Sequence, residues 1–186
     1  MQVNEILNKT RDMMSKSLDH CKSQIAKVRT GRATSSLVEG IKADYYGAQT
    51  PIEQMASISV PDARTIVIQP WDRTTLSVIE KAVMQADLGF NPQNDGNIIR
   101  IPVPPLTEER RKEFVKMCKK FAEEGKVAIR NVRRDQIEVL RKSEKNKEFS
   151  EDDRKKGEDD IQKATDEYIR KVDEFLNTKE KELLED

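Results

Sequence analysis

The sequence predicts an α+β protein: an elongated antiparallel three-helix bundle with a small β/α/β domain inserted into it. Three observations carry that expectation. Three stretches show apolar residues at three-and-four spacing with only a narrow stripe each, at 3–28, 107 to about 146, and from 150 onward. Between the first two, glycines and prolines punctuate short β-prone runs. Charged residues make up 37% of the 186-residue chain and aromatics 5%, which fits slender helices with a thin core better than a compact globule.

Taken in order, the first helix carries Val3, Ile6, Leu7, Met13, Met14, Leu18, Cys21, Ile25 and Val28 on one side. The runs "SLVEGIKADYY", "MASISV", "TIVIQP" and "NIIRIPV" read as strands, and Pro61-Asp62-Ala63-Arg64 as a turn joining two of them. "TTLSVIEKAVMQADLGF" reads as a short helix with Leu76, Ile79 and Val83 on one face and Gly89 as its stop. The second long helix opens on Thr107 as N-cap, followed by Glu108 and Glu109 in the first turn. Its apolar positions are Phe114, Met117, Cys118, Phe121, Ala128, Val132 and Val139. The third opens on Ser150 with Asp153 as a capping box and runs through Ile161, Ala164, Tyr168, Val172, Phe175 and Leu183. No narrow stripe is stable alone, so the three helices bundle together.

This assigns 1–30 and 106–186 to the bundle and 31–105 to the insertion. Two linkers cross between them, near 30–34 and 102–106. The first contains Thr30 and Gly31 and is flexible; the second contains Pro102, Pro104 and Pro105 and is stiff. The pairing predicts a hinge that limits rotation, with a fixed elbow as the alternative.

Net charge is zero, but it is segregated. Residues 1–33 carry seven basic and three acidic side chains, residues 34–106 five and eight, residues 107–149 fourteen and nine, and residues 150–186 eight and fourteen. On a projection of about 100° per residue with Arg130 at zero, Phe114, Phe121, Val132 and Val139 lie within about 20° of 180°. Lys112, Lys116, Lys119, Lys126, Arg130, Arg133, Arg134, Arg141 and Lys145 fall within about 60° of zero, interrupted by Glu123 and Ile137. A solvated face mixes signs, because like charges four apart repel. A one-sided stripe therefore predicts a polyanion ligand, provided that the acids of the third helix do not reach across to it. Arginine in its centre favours forked contacts to phosphate. No Trp, Phe or Leu rim supports insertion into lipid. The absence of stacking aromatics favours readout of backbone and shape over single-stranded bases.

Chemistry has little material. His20 is the sole histidine, Cys21 lies in the apolar stripe, and Gly125-Lys126-Val127 lacks the other parts of a phosphate loop. No run of 18 apolar residues or signal-peptide core occurs. The chain is expected to bind rather than catalyse, without metal or cofactor.

The segments "KVRTGRATSSLVEGI", "YYGAQTPIEQMASISVPDARTIVIQPWD", "EKAVMQADLGFNPQNDGNIIRIPVPPLTEERRKE" and "AIRNVRRD" together resemble the bacterial ribosome recycling factor family, in the same order and over essentially the whole length. The resemblance implies an L-shaped, monomeric, cytoplasmic protein, similar in outline to transfer RNA. It implies that the protein enters the post-termination ribosome and, with elongation factor G and GTP, splits it into subunits, with no membrane or DNA partner. The bundle is then expected to lie on large-subunit ribosomal RNA and the insertion to meet the elongation factor. Arg130 and Arg133 of the RNVRRD motif carry over as RNA contacts. Arg29 and Arg32 of VRTGRA and Arg110 of TEERRK are further candidates, although Arg110 projects to about 160°, on the bundle side. A helical adaptor for coiled coils is the rival reading; self-association in light scattering separates it from a monomeric factor.

Overall fold

The computed structural model describes residues 2–185; residues 1 and 186, the outer ends of the two predicted bundle segments, lie outside them. The chain forms two compact units. One comprises α1 (Val3–Ala26), α3 (Glu108–Lys145) and α4 (Glu151–Leu184), and the other spans Gly31–Leu106.

Each long helix packs against the other two. Cys21 meets Phe121 while Met13 meets Gln136, so α1 and α3 run antiparallel. Arg141 with Glu158 and Lys126 with Asp173 set the same relation for α3 and α4. The predicted caps form. Thr107 accepts from the Arg110 amide at 3.3 Å, and Ser150 and Asp153 close a reciprocal box with the Asp153 amide 3.1 Å from the Ser150 hydroxyl.

The face that α3 buries differs from the one projected. Cys118, Ala122, Gly125, Ile129, Val132, Gln136, Leu140 and Ser143 are buried, centred about 60° from the predicted axis. Phe114, Phe121 and Val139 are only half-buried at the seam edges, and Met117 is 43% exposed. The reason is close approach. A Cβ on Gly125 would stand 2.6 Å from the Cys21 sulfur, so glycine sits where α3 meets α1, on the same buried face as Ile129 and Leu140. The projected stripe omits Ile129 and Leu140 along with Gly125, Gln136 and Ser143, which draws its axis to the seam edges.

The smaller unit holds two antiparallel sheets. A hairpin pairs β1 (Lys42–Tyr45) with β2 (Ala48–Pro51). A four-stranded sheet has β3 (Ala56–Asp62), β4 (Thr65–Pro70), β6 (Ile99–Pro102) and β5 (Gln93–Asn94) in that spatial order. Ile66 pairs with Ile101 and Ile68 with Ile99, and all four are fully buried with Ile52, Ile79 and Val38 in one aliphatic core. The α2 helix (Leu76–Gln85) supplies Ile79 and Val83. It ends before the predicted stop: Asp87 already takes the left-handed conformation at φ 50°, two residues ahead of Gly89.

The crossing segments are less free than their composition implies. The Ala33 amide donates to the Ala63 carbonyl at 2.8 Å, the Val103 amide to the Arg64 carbonyl at 2.7 Å, and the Arg64 guanidinium to the Gly31 carbonyl at 3.1 Å. Pro102, predicted as linker, is instead the last residue of β6, opposite Thr65. Gly31 has φ 83°, a conformation that costs other residues energy, and its Cα faces Leu106. One turn therefore staples both crossing segments.

Candidate nucleic-acid interface

Thirty-eight residues of uninterrupted helix hold the arginines of α3 at a fixed pitch. Arg130, Asn131, Arg133, Arg134, Ile137, Glu138 and Arg141 line one open groove, closed on its far side by Gln162 of α4. Arg130 projects into solvent and, among the described residues, has no ion pair. Arg133 is half-buried and donates to the Gln162 carbonyl oxygen at 3.2 Å, a neutral acceptor that leaves its charge uncompensated. Arg134 lies 3.6 Å from Asp135 with its side chain 72% exposed, a contact worth little in water. Arg141 donates through Nε to Glu158 at 3.0 Å.

Outside this groove the predicted stripe is partly neutralised. The acids of α4 do reach it, against the expectation from sequence, because the bundle seam sits about 60° nearer the cations than the projection placed it. Lys126 is the clearest case: its side chain is 15% exposed and lies 2.5 Å from Asp173 and 3.3 Å from Glu123. The hydrogen bond to Asp173 raises its pKa against the opposing effect of burial. Lys119 sits 3.6 Å from Glu180, and Lys112 pairs with Glu108 one turn back. Burial pushes the Glu158 carboxyl up, but hydrogen bonds from Arg141 and Arg154 outweigh it and hold the pKa below its ordinary value. Arg130, Arg133 and Arg134 thus keep their charge free of close acids from α4, while Lys119, Lys126 and Arg141 do not.

The remaining candidates are distributed. Arg110 is exposed, correcting its projected placement on the bundle side; it pairs with Glu113 at 3.1 Å. It lies roughly 30 Å along α3 from Arg130. Arg29 is exposed just beyond α1, toward the Arg110 end given the Cys21–Phe121 register, and Arg32 is exposed in the smaller unit. Thr30 is half-buried, and Pro104 and Pro105 are exposed in coil. Asn131 and Gln162 were not legible as groove residues. Asn131 carries no charge to mark it, and Gln162 comes from another helix whose rotation a single-helix projection does not define.

Comparison with known proteins bears on the chain as a whole. A family model described as "Ribosome recycling factor" matches residues 21–184. The ribosome-recycling factor of Nitratidesulfovibrio vulgaris (strain DP4) is 56% identical over 185 residues, covering 100% of both chains. That of Bacillus licheniformis is 52% identical, covering 97% of this chain and 98% of the relative. A solution structure of the ribosome recycling factor superimposes with TM-score 0.76 at 41% identity, covering 100% of this chain and 99% of the other. A second solved structure is described as models for the T. thermophilus ribosome recycling factor and the E. coli elongation factor G bound to the E. coli post-termination complex. It matches with TM-score 0.64 and 47% identity over 99% of this chain and 100% of that one. A full-length match of sequence and of fold leaves one assignment: the chain belongs to the ribosome recycling factor family, a family of translation factors without catalysis of their own.

Proposed function

We propose that this protein binds the post-termination ribosome and, with elongation factor G and GTP, drives its separation into subunits. Membership of the family over the whole chain carries the reading. The groove supports a specific mode of binding. Arg130, Arg133 and Arg134 present guanidinium groups from a rigid helix, with Arg141 at the groove's end, where forked donors meet the phosphates of folded large-subunit ribosomal RNA. Arg110, Arg29 and Arg32 extend the contact outside the groove. Lys126 is assigned to the α3–α4 seam, since moving it to RNA would strand Asp173.

The insertion is the part that meets the elongation factor in this scheme. Its pivot falls at the edge of the stapled turn, in the coil up to Gly31 and after Val103, which keeps Thr30, Gly31, Pro104 and Pro105 as hinge residues and releases Pro102. The protein works as a cytoplasmic monomer, without DNA or membrane; no helix among the described residues is long and apolar enough to cross a bilayer. A polysome-to-subunit splitting assay tests the function. Purified protein with elongation factor G and GTP converts polysomes to subunits; absence of splitting with a cognate factor refutes it.

A further inference from the structure

The smaller unit carries a surface that the RNA-binding scheme does not use. Trp71, the only tryptophan, is 70% exposed, Tyr46 is 81% exposed and Tyr45 37%. Tyr45 and Tyr46 meet edge to face with ring centroids 4.6 Å apart. The Tyr46 hydroxyl donates to Asp72 at 3.4 Å, and Asp72 directly follows Trp71, so the hairpin tip and the start of the α2 turn form one edge.

Two features set this edge apart from scattered exposed side chains. Tyr46 has φ 51°, left-handed, beside Gly47 at φ 85°. A two-residue hairpin turn of this kind is best served by Asn-Gly or Gly-Gly, and a bulky aromatic there costs roughly 1–3 kcal/mol. The ring is held outward at the expense of backbone strain. The second feature is charge. Asp44 accepts from the Gly47 amide at 2.7 Å under the same turn, and Asp72 accepts from the Thr74 amide at 2.9 Å and its hydroxyl at 2.7 Å. The Thr74 hydroxyl bond, with its amide bond, lowers the Asp72 pKa, so the carboxylate stays charged. Residues 34–106 carry eight acids against five bases.

We propose that Tyr45, Tyr46 and Trp71, with Asp44 and Asp72, form a docking edge for an arginine-rich protein segment. A guanidinium stacks on an exposed ring and pairs with a carboxylate beside it, whereas stacking platforms for single-stranded nucleic acid sit in positively charged grooves. Exposed Trp and Tyr are the residue types that anchor protein interfaces. The inference does not depend on the recycling function and survives its failure.

Trp71 is its own reporter. The full-length protein is titrated with an octapeptide of alternating arginine and serine while tryptophan emission is followed, with an oligouridylate titration in parallel. The expected result is a saturable change with peptide alone, with affinity falling about five- to tenfold in Asp44→Asn/Asp72→Asn. Asparagine keeps one acceptor oxygen at each position, enough for the Gly47 amide at 44 and the Thr74 amide and hydroxyl at 72, so the turns survive while the Tyr46 hydroxyl loses its carboxylate acceptor; Asp72→Asn alone, expected at about threefold, covers the case in which the double variant unfolds. Four results overturn the inference: no emission change, a shift under about twofold in both variants, an equal response to oligouridylate, or a change with protein concentration alone, which would make the edge a self-contact.

Discussion

The two units solve the burial problem in opposite ways. The smaller unit has one aliphatic core in which Val38, Ile52, Ile66, Ile68, Ile79, Ile99 and Ile101 are all fully buried. The bundle instead threads its interior with Thr10, Gln136, Ser143 and Thr165, and places Gly125 and Gly157 where a Cβ would crowd Cys21 at 2.6 Å and Leu140 and Val3 at 3.1 Å. Thr10 and Thr165 return their hydroxyls to the carbonyls of Ile6 and Ile161 at 2.7 and 2.8 Å, so neither hydroxyl is left unpaired. Around this lean interior run cross-helix ion pairs such as Lys126–Asp173 and Arg141–Glu158. One region is held by volume; the other depends on fit along a seam, and its outer charges remain available for binding.

The largest expected effect breaks the first half of that comparison. Ile68→Ala should destabilise by about 2–5 kcal/mol, the range for emptying a filled aliphatic site. Native-state hydrogen exchange should then show lost protection in β3, β4 and β6 with α1, α3 and α4 unaffected. Gly125→Ala should do the reverse, weakening the helices by about 1–3 kcal/mol, because the added methyl collides with Cys21. Uniform loss across both units in either variant would dissolve the distinction.

Binding comes next. Arg130→Ala or Arg133→Ala should weaken ribosome binding by about 1–3 kcal/mol while the melting temperature stays near wild type, since neither side chain is held by an acid. Added salt should weaken binding steeply, because each neutralised phosphate releases counterions. Lys126→Ala should show the opposite pattern, with stability falling and the salt slope unchanged. Filter binding across a salt series with a parallel melt distinguishes the two groups.

Gly31→Val probes the segment joining the regions. Its φ of 83° and the Leu106 side chain 3.0 Å from the position of a Cβ make valine costly by roughly 1 kcal/mol or more. Binding to the ribosome alone should survive, and splitting with elongation factor G should slow. Splitting at the wild-type rate would leave Gly31 a fixed corner and refute the hinge.

The smallest effect is electrostatic. Hydrogen bonds from Arg141 and Arg154 overcome the effect of burial and leave the Glu158 pKa depressed in the folded protein. Its contribution is therefore complete above the unfolded carboxylate pKa and is lost as pH falls through the lower folded value. Glu158→Gln should flatten the acid limb of a melting-temperature profile while leaving neutral pH nearly unchanged. An acid limb identical to wild type would mean that the pair adds nothing.

Much of this was legible in the sequence, for identifiable reasons. Thr107 and Ser150 announced their helices because capping is local chemistry. The strands around Ile58, Ile66 and Ile101 announced themselves as β-prone runs bounded by proline and glycine. What failed was rotation about a helix axis. Gly125 is central in the bundle because the helices come close there, Gln136 and Ser143 are buried beside it, and no hydrophobicity count ranks these three as core; Ile129 and Leu140, apolar and fully buried, were left out of the stripe as well. The same error of about 60° hid the reach of Asp173 and Glu158 toward α3. It also hid Gln162, whose role depends on two rotations at once. Pro102 misled in a different way: a proline-rich composition reads as linker, but a proline at a strand end loses only one ladder bond.

The stapled turn has a consequence for how the chain is built. Ala63 and Arg64 receive the amides of Ala33 and Val103, so the inserted unit begins and ends at neighbouring points on its own surface. From the viewpoint of the nascent chain, everything that the sheet requires has been synthesised once Val103 appears, before any of α3 exists. The first helix must wait for α4, more than a hundred residues later, to find its last neighbour. A sheet already closed on itself brings the ends of that long excursion together, leaving α1 and α3 separated by little more than two short coils rather than by a wandering loop whose closure entropy the bundle would have to overcome. An insertion in sequence thus behaves, in assembly, as a pre-tied knot in the cord that joins the first helix to the second.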